Sequence, residues 1–247
     1  MRHNYRLSIA YDGTRYQGWE HQPGTDMTIQ GKIENVLKEM TGELPEVLCA
    51  GRTDAGVHAK AMIASVFLDT ELSEREILNY LNRYLPEDIS VNEVKLCSDR
   101  FHARYNATGK TYLYTCYAGN SKPVFDRKYV YALDFIPDIS RMQEAAAFLK
   151  GEHDFASFCA NPRMKKSTVR LVDRIDISRK GDYIYFTYHG TGFLQHMVRI
   201  LTGTLLEVGA GKRTPESMME LIKAGDRRLA GETAPAKGLT MVSVDYS

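Results

Sequence analysis

At 247 residues the chain is long enough for one large domain or two of about equal size, on a usual span of roughly 100–200 residues per domain. Apolar residues make up 43% and charged residues 26%, which excludes the disordered, collagen-like and coiled-coil classes. The net charge of +1 hides an asymmetry: residues 1–104 carry 12 Lys/Arg against 16 Asp/Glu, and residues 105–247 carry 20 against 15, so an anionic ligand is expected mainly in the second half.

Tyr5, Leu7, Ile9 and Tyr11 alternate with other residues and predict a strand that stops at Asp12-Gly13. Thr28 caps a predicted helix with Ile29, Ile33, Val36, Leu37 and Met40 at its apolar positions, ending near Thr41-Gly42. Gly31 in its first turn costs about 1 kcal/mol against Ala. Residues 47–50 and 61–68 read as strands. Ser73 with Glu76 makes a capping box for a helix carrying Ile77, Leu78 and Leu81, closed before Pro86. Residues 89–96 add a strand, giving the order β-α-β-β-α-β.

The second half is read as a repeat of the first. Residues 111–117 form a strand, with 128–133 as its hairpin mate. Asp138 caps a helix through Ile139, Met142, Ala146 and Leu149 that runs to Gly151. Residues 172–178 and 183–189 flank Lys180-Gly181-Asp182, a good hairpin turn. An amphipathic helix over 193–208 follows, then a shorter one opened by Thr214-Pro215, and a last strand over 240–246. The fold class this order gives is α+β: two tandem ferredoxin-like (split β-α-β) halves, antiparallel sheets flanked by helices, with one sheet face left free for a ligand. The halves are 1–104 and 105–247, meeting near 103–106 without a linker-like composition.

Cys49, Cys97, Cys116 and Cys159 are scattered, which disfavours a disulfide framework or zinc site and suits a reducing cytoplasm. The opening MRHNYRLSIA has no apolar core, so no secretory signal is expected, and no window approaches the roughly 18 apolar residues of a membrane span. Phosphate-loop, dinucleotide, serine-hydrolase and metalloprotease motifs are missing, as is the deaminase pattern. No cofactor or metal is expected.

The chemistry concentrates after the second strand, in Gly51-Arg-Thr-Asp-Ala-Gly-Val-His-Ala59. A strand end delivers Arg52 and Asp54 into a loop between two glycines, which permit unusual turns and close approach of a bulky ligand. By itself the segment reads first as a surface hairpin turn with a local ion pair. It is similar, however, to the signature loop of the bacterial tRNA pseudouridine synthase A family. Residues 11–22, from Tyr11-Asp-Gly to Gly18-Trp-Glu-His-Gln22, resemble that family's N-terminal motif. Leu85-Pro-Glu-Asp-Ile89, Phe101-His-Ala-Arg104, Lys110-Thr-Tyr-Leu-Tyr114, residues 151–158, Phe193-Leu-Gln-His-Met-Val-Arg199 and Ala234-Pro-Ala-Lys-Gly-Leu239 follow in the family's order. The departures are Glu20 for the usual Gln, Gly31 for the usual Glu, and Thr191 where Asn is frequent.

The resemblance implies conversion of uridine to pseudouridine in the tRNA anticodon stem-loop, by a homodimer in which each tRNA bridges two subunits. It makes Asp54 the catalytic carboxylate, Arg199 its bidentate partner and Tyr112 the ring that stacks on uracil. Arg52 is implied to fill the space left by the flipped nucleotide, and Leu239 to pack against the flipped base. Without it, Arg199 is a solvated helix residue, Tyr112 a sheet aromatic and Leu239 core. Arg163, Lys165, Lys166, Arg170, Arg174, Arg179 and Lys180, opposed only by Asp173 and Asp176, read either as a solvated face or as a phosphate-gripping stripe. His58 and His196 are read as structural. The alternatives from the residues alone are a non-catalytic RNA-binding protein of this fold, or the same chemistry on ribosomal RNA.

Overall fold

A computed structural model describes residues 2–161 and 163–247. In chain order the strands among them are β1 (Arg2–Tyr11), β2 (Leu48–Cys49), β3 (His58–Asp69), β4 (Ile89–Cys97), β5 (Ala107–Tyr117), β6 (Tyr131–Ala132), β7 (Gly151–Asp154), β8 (Val169–Lys180), β9 (Tyr183–Gly190) and β10 (Leu239–Tyr246). The helices are α1 (Ile29–Thr41), α2 (Glu74–Tyr84), α3 (Ile139–Ala147), α4 (Met197–Gly209) and α5 (Ser217–Ala224). The class is α+β with mixed pairing: most neighbours are antiparallel, while β10 runs parallel to β3 and β6 parallel to β5. No helix among the described residues is long and apolar enough to cross a membrane.

The chain divides into two units, residues 1–108 with 240–247, and residues 109–239. In the first, the strand order is β4-β1-β3-β10, with β2 beside β3. Alternation along β1 sends Leu7, Ile9 and Tyr11 into the core, as period-two patterning requires. Ile29, Ile33 and Leu37 of α1 and Ile77 and Leu81 of α2 are buried with them. Each such side chain contributes about 1.5–3 kcal/mol of burial. Thr28 caps α1 through Gly31 N–H (3.2 Å), and the Ser73–Glu76 capping box opens α2 in both directions.

In the second unit the order is β5-β9-β8-β7, with β6 beside β5. Register places Tyr112 opposite Tyr188, Tyr114 opposite Phe186 and Ile177 opposite Phe186, all buried. α3 packs on β8 and α4. α4 is apolar nearly all round, and its Thr202 hydroxyl meets the buried Tyr188 hydroxyl at 2.8 Å.

Four local expectations are corrected. Residues 128–133 are not a hairpin mate of β5; only Tyr131–Ala132 pair with it, in parallel, because the long turn before them lets the chain return in the same direction. α4 starts at Met197 because His196 is left-handed (φ 58°), and a right-handed helix cannot run through it. α5 starts at Ser217, since Thr214 instead spends its carbonyl on the Ser217 hydroxyl (2.7 Å) in a separate turn. α3 stops at Ala147, not Gly151. The division between the units falls after residue 108, where 103–106 was expected, and the last strand folds with the first unit.

Candidate active site

The loop carrying Arg52 and Asp54 rests on residues 11–19, which leave β1 and wrap beneath it. Trp19 N–H donates to the Thr53 carbonyl (3.0 Å), and the Tyr11 hydroxyl meets the Thr53 hydroxyl at 2.7 Å in a buried contact. Gly56 N–H reaches the Tyr16 carbonyl, and Val57 N–H closes the turn on the Asp54 carbonyl (3.1 Å). Two glycines make the approach possible. A methyl on Gly13 would sit 2.0 Å from the Val57 carbonyl oxygen, and one on Gly18 (φ 100°) 2.7 Å from that of Thr53. No other residue type fits either position without moving backbone.

Asp88 ties the platform down from the far side. It accepts from the Tyr16 hydroxyl (2.6 Å) and Arg15 Nε (2.8 Å), while Asp12 N–H bonds its backbone carbonyl (2.9 Å). Burial first, and then Asp88, push the Tyr16 phenol well above its usual pKa, so it stays a neutral donor. Three blocks distant in sequence, at 11–22, 51–59 and 85–89, are thus one structure. Buried His58 faces both Gly13 N–H (3.1 Å) and the Asp12 carboxylate (3.2 Å) through Nδ1. A neutral ring accepts from the first; a charged ring donates to the second.

Asp54 is half-buried, whereas Arg52 is exposed and its guanidinium pairs with the Glu20 carboxylate. Gly31 also acquires a reason. A Cβ there would lie 2.9 Å from the capping Thr28 hydroxyl and 3.2 Å from Cε1 of His21, whose ring reaches Glu34 at 2.5 Å, so a side chain at this position would press on both. Glu34, 3% exposed, further accepts from Val47 N–H (2.8 Å) and the Gln30 amide (2.9 Å).

The second unit gathers three other blocks. Tyr112 on β5 is 8% exposed and meets Phe193 edge-on, with ring centroids 5.2 Å apart. Arg199 stands in the first turn of α4. Its Nε donates to the Ala234 carbonyl (2.8 Å), and Ala234 N–H returns a bond to the Arg199 carbonyl (3.1 Å). The next residue, Pro235, accepts from the Tyr114 hydroxyl at 2.7 Å; burial raises that phenol's pKa and keeps it protonated. Leu239, four residues on, is buried. So β5, the entry to α4 and the segment 234–239 are clamped together, and the Arg199 guanidinium plane is fixed by its Nε. His196, the only non-glycine with positive φ among the described residues, makes the sharp entry that sets Arg199 one turn into the helix.

The basic segment does not form one stripe. Arg163, Lys165 and Lys166 are exposed ahead of β8. Arg174 and Lys180 lie on the strand face opposite buried Ile175 and Ile177, while Arg179 shares their parity. Arg170 folds back onto the Ser167 (2.9 Å) and Val169 (2.6 Å) carbonyls. Among the described residues no three His, Cys, Asp or Glu side chains are grouped to hold a metal ion. Sequence reading missed the support given by Tyr11, Thr53 and Trp19; the chain's single tryptophan between two flanking motif residues was the available signal.

The description tRNA pseudouridine synthase matches this chain over residues 7–106 and 145–247. The tRNA pseudouridine synthase A of Bacillus sp. (strain KSM-64) is 44% identical over 243 residues, covering 98% of this chain and 99% of the relative. That of Brevibacillus brevis is 42% identical over 241 residues, covering 98% of both. Among solved structures, a chain of a Cbf5-Nop10-Gar1 complex aligns at 12% identity and a TM-score of 0.37, over 96% of this chain and 48% of that one, too loosely to carry an argument. The chain belongs to the tRNA pseudouridine synthase family.

Proposed function

We infer that this chain isomerises uridine to pseudouridine in tRNA, the activity that gives its family its name. The observation that carries the reading is the family match over residues 7–106 and 145–247, and the loop at 51–59 within it is held by hydrogen bonds from residues 11–19. The reaction breaks the N1–C1′ bond, turns the uracil and joins C5 to C1′. A single carboxylate is sufficient: Asp54 either attacks C1′ or removes a sugar proton, and both routes need it ionised.

Arg199 presents its terminal nitrogens to that carboxylate, its Nε being engaged with Ala234. Tyr112 stacks on the uracil and takes the C5 proton. Arg52 occupies the space left when the nucleotide is extruded, which costs a few kcal/mol of unstacking, and Leu239 packs against the extruded base. Lys165 and Lys166 hold phosphates; Arg170 joins them only after leaving its own carbonyls. The reading takes the substrate site to be the anticodon stem-loop, the two units to be ferredoxin-like halves, and the working form to be a cytoplasmic homodimer with each tRNA across two subunits.

Asp54→Asn tests it. The change is nearly isosteric and leaves the backbone bonds of the loop intact, but removes the charge. Tritium release from C5-labelled uridine in an anticodon stem-loop should fall by at least about 10²–10⁴-fold, while filter-binding affinity moves far less. Release within tenfold of wild type overturns the assignment of Asp54. Equal loss of binding and turnover would make Asp54 a loop-shaping residue and favour an RNA-binding role without catalysis.

A further inference from the structure

The ion pair between Arg52 and Glu20 joins two segments whose backbones are fixed on either side of it. Before Glu20, Trp19 is fully buried and bonded to the Thr53 carbonyl; after it, His21 is pinned to Glu34, with its N–H toward the Gln30 side chain (3.4 Å). Arg52 in turn lies between buried Ala50 and Thr53. Yet the paired side chains themselves are open to solvent, at 62% for Arg52 and 46% for Glu20. Exposed pairs of this kind contribute little to stability. The effect of this one falls on where the guanidinium spends its time.

We propose that Glu20 is a positioning residue that parks Arg52 on the loop surface and releases it to the RNA. The inference rests on the role given to Arg52 above. An approaching stem-loop brings phosphates that repel the Glu20 carboxylate and attract the guanidinium, so RNA competes with Glu20 for the same donor. Each opening of the target nucleotide therefore breaks this pair. A neutral amide of the same size, as in Glu20→Gln, keeps a hydrogen-bond acceptor but not the charge, and lets Arg52 go more readily. The cost of the pair is borne in forming the opened complex, ahead of the chemical step. Its removal lowers KM and leaves kcat alone.

The test compares wild type, Glu20→Gln, Arg52→Ala and the double variant on a stem-loop carrying 2-aminopurine beside the target uridine. Fluorescence reports opening, and tritium release reports turnover. Glu20→Gln is expected to raise the opened signal and lower KM about two- to fivefold at low salt, with kcat unchanged and the gain shrinking as salt rises. In the Arg52→Ala background the same substitution should change nothing. Unchanged KM and opening in Glu20→Gln would overturn the proposal. So would an equal gain without Arg52, since Glu20 would then merely repel phosphate. A wild-type chain that opens the stem-loop without tritium release would sink the catalytic reading, and the opened signal would still decide this one. A wild-type chain that does neither ends both.

Discussion

Arg199 is the residue whose proposed role asks most of its geometry. Its Nε is committed to Ala234, and in that role its guanidinium would offer a carboxylate a planar fork that lysine lacks. Arg199→Lys keeps the charge and loses both features. Losing a charge-assisted hydrogen bond of about 1.5–3 kcal/mol should slow single-turnover conversion roughly 10- to 100-fold, with tRNA affinity near wild type. A Lys enzyme at full rate would remove the orienting role. At this scale the sequence singles out Asp54, Arg52 and Arg199 as candidates through short motifs. It could not expose the Tyr11–Thr53 bond or the Trp19 anchor, because those pairings span more than thirty residues and leave no local periodicity. Glu20 was visible only as a departure from its family; its pairing with Arg52 depends on two loops meeting.

Among the elements, α2 is the one whose start rests most on a side-chain device. Ser73 accepts from Glu76 N–H, and the Glu76 carboxylate accepts from Ser73 N–H (2.8 Å) and its hydroxyl (2.7 Å). Ser73→Ala should cost about 1 kcal/mol, or roughly 2–4 °C in Tm for a chain of this size. The Ser73 hydroxyl, and then its N–H, hold the Glu76 carboxyl below its usual 4.5. A depressed folded value means stabilisation that is complete above the unfolded value and lost as pH falls through the folded one. Melting curves taken from pH 6 downward should therefore separate wild type from Glu76→Gln at the upper end, with the gap narrowing as the pH falls below 4.5. A gap of constant width would mean that the charge is not what matters.

α2 was legible because its cap, stripe and stop are all local. The first turn of α4 was misread for the opposite reason: Phe193–His196 has helix-like composition, and nothing in it announces the left-handed backbone at His196. Parallel partners are equally silent in sequence. β6 and β10 announce themselves as strands by composition, but nothing in either says which edge it will join.

For the whole molecule, the net charge of +1 hides the basic excess of residues 105–247, and the cations between 163 and 180 divide into exposed and self-occupied groups. Lys165 and Lys166 are exposed, whereas Arg170 and Arg179 bond nearby carbonyls. Replacing both lysines by Gln should lower tRNA affinity and flatten its salt dependence by about one unit of log–log slope per lost phosphate contact. The Asp54-dependent rate in single turnover at saturating tRNA should stay near wild type. An unchanged slope would take these lysines off the RNA surface.

The last strand returns to the first unit, with Thr240 in register with His58, directly after the loop that carries Arg52 and Asp54. Both ends of the second unit thus emerge from the first, which makes the second an insert within it. A ribosome releases β3 early but supplies β10 only after residue 238, so the edge of β3 beside the loop stays open until the second unit has been made. An open edge carries unpaired backbone donors and acceptors, a template for wrong partners as well as the right one. The surroundings of the Asp54 loop are in this way complete only once β10 arrives: a product broken off before β10 holds every motif through Gly238 and still lacks the strand that closes the edge of β3 beside them.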